Sequence, residues 1–145
     1  MVDKSGELSD LIIAISKKFK YKLSNDIENV APDLSIKDIN LIDFIGSAKK
    51  TMGEIAQEMD LTPGTVTLVV DKLISKGYLK RERDEGLDRR KVFISLDEKG
   101  VKVNSFLLKQ RVDISKSILS SLSDYDQDKV LEIFKRINEG LSKND

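Results

Sequence analysis

Arg89 and Arg90, with Asp88 just before them, stand in the polar run Asp84-Glu85-Gly86-Leu87-Asp88-Arg89-Arg90, between two segments that look extended. A narrow, A·T-rich DNA minor groove has enhanced negative potential, and a guanidinium on a projecting turn can enter it. Lysine does this less well because its ammonium is a more strongly hydrated point charge. Asp88, two residues before Arg90, can hold the fork in place. Upstream, Thr62-Pro63-Gly64 opens a segment in which Val66, Val69, Val70 and Leu73 share one helical face. Thr65, Thr67, Leu68, Asp71 and Lys72 must then point away from the core, and the first turn carries Thr62 and Gly64; Thr62, Gly64, Thr65, Thr67, Leu68 and Lys72 are the expected DNA-binding residues of this segment. The start of a helix lying in the major groove is the part that usually touches base edges. No Arg, Asn or Gln lies between Thr62 and Lys72, so bidentate reading of guanine or adenine is not expected. Hydroxyls and apolar contact with thymine methyls remain, which predicts an operator rich in A·T.

Other chemistries are narrowed by what the chain lacks. Its 145 residues contain no Cys and no His, which excludes a thiolate nucleophile, a thiol redox sensor, an imidazole base and a Cys/His zinc site. Ser47 and Lys50 match a Ser-x-x-Lys spacing without its companion motifs. Asp124, Asp126 and Asp128 suit a helix start better than a metal site. No cofactor is expected, and no pair of acids sits in a context that suggests a catalytic cleft, so the chain is not expected to be an enzyme. A hydrolase built on carboxylates stays as an alternative, as does a winged-helix protein-interaction module that never binds DNA.

Lys plus Arg number 25 and Asp plus Glu 25, for a net charge of zero. The charge is segregated all the same. Residues 31–70 hold three Lys against six acids, whereas residues 71–91 hold eight Lys and Arg against five acids. The basic excess therefore coincides with the candidate helix and turn. A chain of this length fits one domain, and no apolar run approaches the roughly 18 residues of a membrane span; a soluble cytoplasmic protein is expected.

The elements that must position these residues follow from periodicity and capping. Leu8, Leu11, Ile12, Ile15 and Phe19 form one helical face, prolonged by Leu23, Ile27 and Val30 and stopped by Pro32. Ser35 can cap a second, largely apolar helix ending at Gly46. Thr51-Met52-Gly53-Glu54 reads as a capping box before a short helix with Met52, Ile55, Ala56 and Met59 inward. Thr62 and Pro63 open the next helix, which Gly77 closes. Tyr78–Arg83 and Lys91–Leu96 form a β-hairpin. Asp97 and then Ser123 begin two further helices, the last repeating Val130, Phe134, Ile137 and Leu141 on one face.

Two helices, a three-residue turn and a hairpin outline a winged helix-turn-helix. The runs Thr62-Pro63-Gly64-Thr65-Val66-Thr67, Asp71-Lys72-Leu73, Lys76-Gly77-Tyr78-Leu79, Asp88-Arg89-Arg90 and Leu96-Asp97-Glu98-Lys99-Gly100 resemble the MarR family of bacterial transcriptional regulators. That resemblance implies a mainly α fold with a small β-hairpin wing, a winged helix-turn-helix with N- and C-terminal dimerisation helices. It covers residues 1–145 as a single domain, with 35–96 as the DNA-binding core and 1–34 and 97–145 as dimerisation helices. It also implies a homodimer on double-stranded DNA, binding a palindromic operator with half-sites roughly 10 base pairs apart. Leu8, Leu11, Ile12, Ile15, Val130, Phe134, Ile137 and Leu141 would form the dimer contact. Arg90 would enter the minor groove with Asp88 as its partner, and Arg89 would contact a phosphate or the minor groove. Phe19, Phe44 and Phe106 would line an effector pocket. Ser35-Ile36-Lys37-Asp38, Ile42-Asp43-Phe44-Ile45-Gly46, Gly64-Thr65-Val66-Thr67 and Lys76-Gly77-Tyr78 look like the family's repressors of fatty-acid synthesis genes in Gram-positive bacteria. Their effector is acyl-acyl carrier protein; elsewhere in the family it would be a small organic molecule.

Overall fold

The computed structural model describes residues 3–84, 86 and 90–143. The elements run α1 (Lys4–Val30), α2 (Ile36–Ile45), β1 (Lys50–Thr51), α3 (Met52–Met59), α4 (Pro63–Ser75), β2 (Leu79–Arg83), β3 (Val92–Leu96), α5 (Glu98–Ser120) and α6 (Asp124–Ser142). They divide into two compact units, up to Lys109 and from Gln110 onward, with the division falling inside α5. The mainly helical winged helix-turn-helix expected from the sequence is the fold observed.

In the first unit the core gathers Leu41, Ile42 and Ile45 of α2, Ile55 of α3, Val66, Val70 and Leu73 of α4, Leu79 of β2 and Ile94 of β3. Val103 and Leu107 of α5 join them. Burying each such side chain stabilises the fold by about 1.5–3 kcal/mol. Capping fixes where the helices start. Asp38 N–H donates to Ser35 Oγ at 3.1 Å while Ser35 N–H donates to Asp38 Oδ2 at 3.0 Å, a reciprocal capping box. At Thr51 the structure shows the hydroxyl half of the expected box, with Glu54 N–H donating at 3.1 Å. The Glu54 side chain is exposed, and Thr51 itself pairs with Phe93 across β1 and β3, which gives its backbone a place in the sheet.

The hairpin is thus part of a three-stranded antiparallel sheet ordered β1-β3-β2. Leu79 faces Leu96 and Arg83 faces Val92 across β2 and β3. Gly77, at φ 86°, turns the chain from α4 into β2, and Tyr78 N–H closes the end of the helix on Leu73 O at 2.9 Å. The Tyr78 carbonyl in turn accepts the Asp97 N–H at 2.9 Å. Gly100, in the first turn of α5, packs directly against that carbonyl, where a Cβ would have no room.

Of the periodic face on α1, Ile27 alone is buried; Leu8, Leu11, Ile12 and Ile15 are each more than half exposed. In the second unit Ser123 caps α6 through Asp126 N–H at 3.2 Å. Gln127 Nε2 ties α6 back to Leu119 O and Leu122 O at 2.9 and 3.1 Å. Phe134, Ile137 and Leu141 of α6 are exposed, Phe134 by 64%. No described helix is long and apolar enough to cross a membrane.

Candidate nucleic-acid interface

The turn between α3 and α4 is Asp60-Leu61-Thr62, with Asp60 in the left-handed region at φ 51°. Leu61 N–H reaches back to Ala56 O at 3.0 Å, which ends α3 and sends the chain into the Thr62 cap. There Thr65 N–H donates to Thr62 Oγ1 at 3.4 Å, and the two hydroxyls lie 2.9 Å apart. Thr67 Oγ1 donates to Pro63 O at 3.0 Å. These bonds stiffen the first turns of α4 and leave Thr62, Gly64, Thr65, Thr67 and Leu68 exposed, as their spacing predicts. Leu68 is 72% exposed. Around Gly64 there is open space for 4 Å.

The outer surface of α4 changes character towards its C-terminus. Asp71 forms an ion pair with Arg81 of β2. Lys72 Nζ sits 2.9 Å from both carboxylate oxygens of Asp38. Lys76, which caps the helix, donates to Asp33 O at 3.0 Å, and Tyr78 Oη donates to Asp33 Oδ1 at 2.8 Å. Burial, then the Asp33 carboxylate beside it, pushes the Tyr78 hydroxyl up to about 12. Burial alone would raise the Asp38 carboxyl, but the Lys72 ammonium and the Ser35 groups outweigh it and hold that carboxyl below its ordinary value. Sequence reasoning left Asp33, Asp38 and Arg81 out of the site. The Ser35-x-x-Asp38 spacing was the available signal for Asp38, since it is the pattern of a capping box.

At the wing, Asp84 N–H bonds Lys91 O at 3.2 Å below the turn, and Gly86 N–H donates to Asp84 Oδ1 at 3.1 Å. Arg90 is exposed at the turn that leads into β3. Asp88 and Arg89 lie outside the described residues. Of the three phenylalanines expected in an effector pocket, Phe44 lines a cavity of about 580 Å³ with Lys37, Asn40, Asp43 and Met59. The Lys50 ammonium stands 4.7 Å from the centroid of the Phe44 ring. Phe106 packs on the core and Phe19 is half-buried on α1; neither lines that cavity.

Residues 33–91, which span α2 to the end of the wing turn, match the model of the MarR family. Over this winged-helix segment the chain is similar to the MarR family. Over 58 residues the chain is 40% identical to an uncharacterized HTH-type transcriptional regulator, YcgE, of Bacillus subtilis strain 168; the match takes in 39% of this chain and 37% of that protein. Along nearly its full length the chain is similar to Streptococcus pneumoniae FabT, a structure solved in complex with DNA. The TM-score there is 0.70 at 25% identity, covering 95% of this chain and 99% of that one. Its fold is also that of the transcriptional regulator Tm0710 from Thermotoga maritima, with a TM-score of 0.72 at 22% identity over 96% of each chain. Within the MarR-family segment, α3 and α4 form the helix-turn-helix and β2 and β3 the wing.

Proposed function

We propose that the protein is a sequence-specific DNA-binding transcriptional regulator, acting as a repressor, that binds a palindromic operator as a homodimer. The observation that carries this reading is the exposed start and outer face of α4, Thr62, Gly64, Thr65, Thr67 and Leu68, set in a MarR-family winged helix. Similarity to FabT, which was crystallised with DNA, supports it. Arg90, with Asp88 and Arg89 before it, supplies the minor-groove contact, and methyl and isobutyl groups on α4 meet thymine methyls. Footprinting on DNA flanking the protein's own gene tests the reading. Protection of an A·T-rich, two-fold symmetric site is expected, and an Arg90→Ala variant should lose that protection while keeping its oligomeric state. Failure to protect any site, or full protection by the Arg90→Ala protein, would refute it.

The same proposal assigns residues 35–96 to DNA binding and the terminal helices to the dimer. Leu8, Leu11, Ile12 and Ile15 on α1, and Phe134, Ile137 and Leu141 on α6, are large apolar side chains left exposed in the single chain, with Val130 half-buried beside the latter. Apolar faces of this extent mark association surfaces. The effector is a small organic molecule or an acylated carrier protein, the latter if the regulated genes are those of fatty-acid synthesis. Titrating both kinds of effector into the operator complex should change its affinity with one of them; unchanged affinity throughout would remove effector control from the proposal.

A further inference from the structure

We propose that Lys72 is a positioning residue of the recognition helix, held by buried Asp38, and not a contact to DNA phosphate. This rests on the DNA-binding reading above. Among the exposed residues of α4, Lys72 is the one cation and would ordinarily be assigned to the phosphate backbone. Its ammonium is engaged elsewhere. It lies 2.9 Å from each carboxylate oxygen of Asp38, a residue only 2% exposed, whose Oδ2 also accepts the Ser35 N–H at 3.0 Å. Moving the Lys72 ammonium away from Asp38 onto a phosphate would leave a buried carboxylate without its counter-charge, which is among the more costly states a protein interior can adopt.

The charged neighbours of Lys72 are likewise paired within the chain. Asp71, the other charged side chain of α4, pairs with Arg81 of β2. Lys76 at the helix end bonds the backbone of Asp33, and Tyr78 bonds the Asp33 carboxylate. Asp33 lies in the connection from α1 into α2 and Asp38 in the first turn of α2, so the C-terminal end of α4 and the residues after it are bound to this stretch at two points, Asp38–Lys72 and Asp33 with Lys76 and Tyr78. The N-terminal half is left to face outward with hydroxyls, a glycine and Leu68. Because Asp38 also caps α2, one carboxylate sets both where α2 begins and where the third turn of α4 rests against it.

The dependence of binding on salt distinguishes positioning from phosphate contact. Each neutralised phosphate contributes about 0.9 to the slope of log K against log salt concentration, so a symmetric pair of Lys72–phosphate contacts would contribute about 1.8 per dimer. The experiment titrates wild type, Lys72→Met and the double variant Asp38→Asn/Lys72→Met with the footprinted operator duplex and with a random duplex over a range of salt. Methionine keeps most of the lysine stem. The double variant leaves no lone buried carboxylate, so it carries the test if Lys72→Met alone does not fold. We expect the ratio of operator to random-duplex affinity to fall at least tenfold in the variants, with the slope unchanged. A slope lower by about 1.8, or an unchanged ratio, would overturn the proposal. Wild-type protein that binds no operator would remove the underlying reading instead, and that failure appears before any variant is compared.

Discussion

Replacing Gly100 by alanine would set a Cβ 2.2 Å from the Tyr78 carbonyl oxygen and 3.3 Å from the Leu96 Cβ, where ordinary van der Waals contact begins at 3.4 Å. Neither neighbour can yield cheaply. The Tyr78 carbonyl accepts the Asp97 N–H, the Tyr78 N–H closes α4 on Leu73, and the ring oxygen is bonded to Asp33. Moving the carbonyl by the ~1 Å the methyl requires means overpacking, which costs about 1–3 kcal/mol, and losing the Asp97 bond, about 1 kcal/mol. Against this stands the helix propensity alanine gains over glycine, about 1 kcal/mol. The net expectation is a loss of about 2 kcal/mol, which for a chain of this size lowers the melting temperature by roughly 4–8 °C. Thermal unfolding followed by circular dichroism measures it, with Gly140→Ala as the matched control. Gly140 lies on α6 with nothing within 4 Å of the place an added methyl would take, so the same substitution there should be neutral or stabilising. A Gly100→Ala protein that melts at or above the wild-type temperature would show that the reading of this contact is wrong.

Gly64→Ala should separate stability from binding: with open space around it, the methyl leaves the melting temperature unchanged or raised, yet operator affinity should drop at least tenfold in a gel-shift titration if the first turn of α4 meets DNA as proposed. Tyr78 has a folded-state pKa raised to about 12 from the ordinary 10, so its contribution to stability is complete below pH 10 and disappears as pH rises towards 12. Urea unfolding at pH 9 and pH 12 should show wild type losing about 2–3 kcal/mol more than Tyr78→Phe across that interval; parallel losses would count against a Tyr78 hydroxyl held above its ordinary value by burial and the Asp33 carboxylate. Asp38 titrates below its ordinary 3.8 in the folded state, so its contribution holds above that value and vanishes as pH falls beneath it. Asp38→Asn should accordingly be less stable than wild type at pH 7, with the gap narrowing in urea titrations below pH 3.8; a constant gap would be inconsistent with an ionised Asp38.

Much of the architecture is legible without coordinates because it is written in local chemistry. The caps at Ser35, Thr51, Thr62 and Ser123 act within three residues of themselves. The valine face of α4 shows as a helical period, which is why the outward set from Thr62 to Leu68 could be read from spacing. Long-range partners leave no such trace. Asp38 and Lys72 are 34 residues apart in sequence, and nothing in a lysine at an outward position tells that a buried carboxylate awaits it. β1 is two residues long, too short for any alternation to appear. The stripe on α1 shows the opposite limitation: Leu8 to Ile15 has the period of a core-facing helix, yet those side chains are exposed in the single chain, because periodicity records that a face is apolar without recording what covers it.

The pairing of Asp71, Lys72 and Lys76 within the chain bears on how a DNA-binding regulator of this kind would search a genome. Attraction to DNA of arbitrary sequence comes almost wholly from cations placed at phosphates. In the proposed regulator a reading helix whose charges are already paired within the chain would add little to that background hold, while side chains that face thymines would add to the complex with the correct site alone. Dwell time on wrong sites would then be shortened relative to dwell time on the operator. Discrimination would come from weakening the indifferent contact rather than from tightening the cognate one.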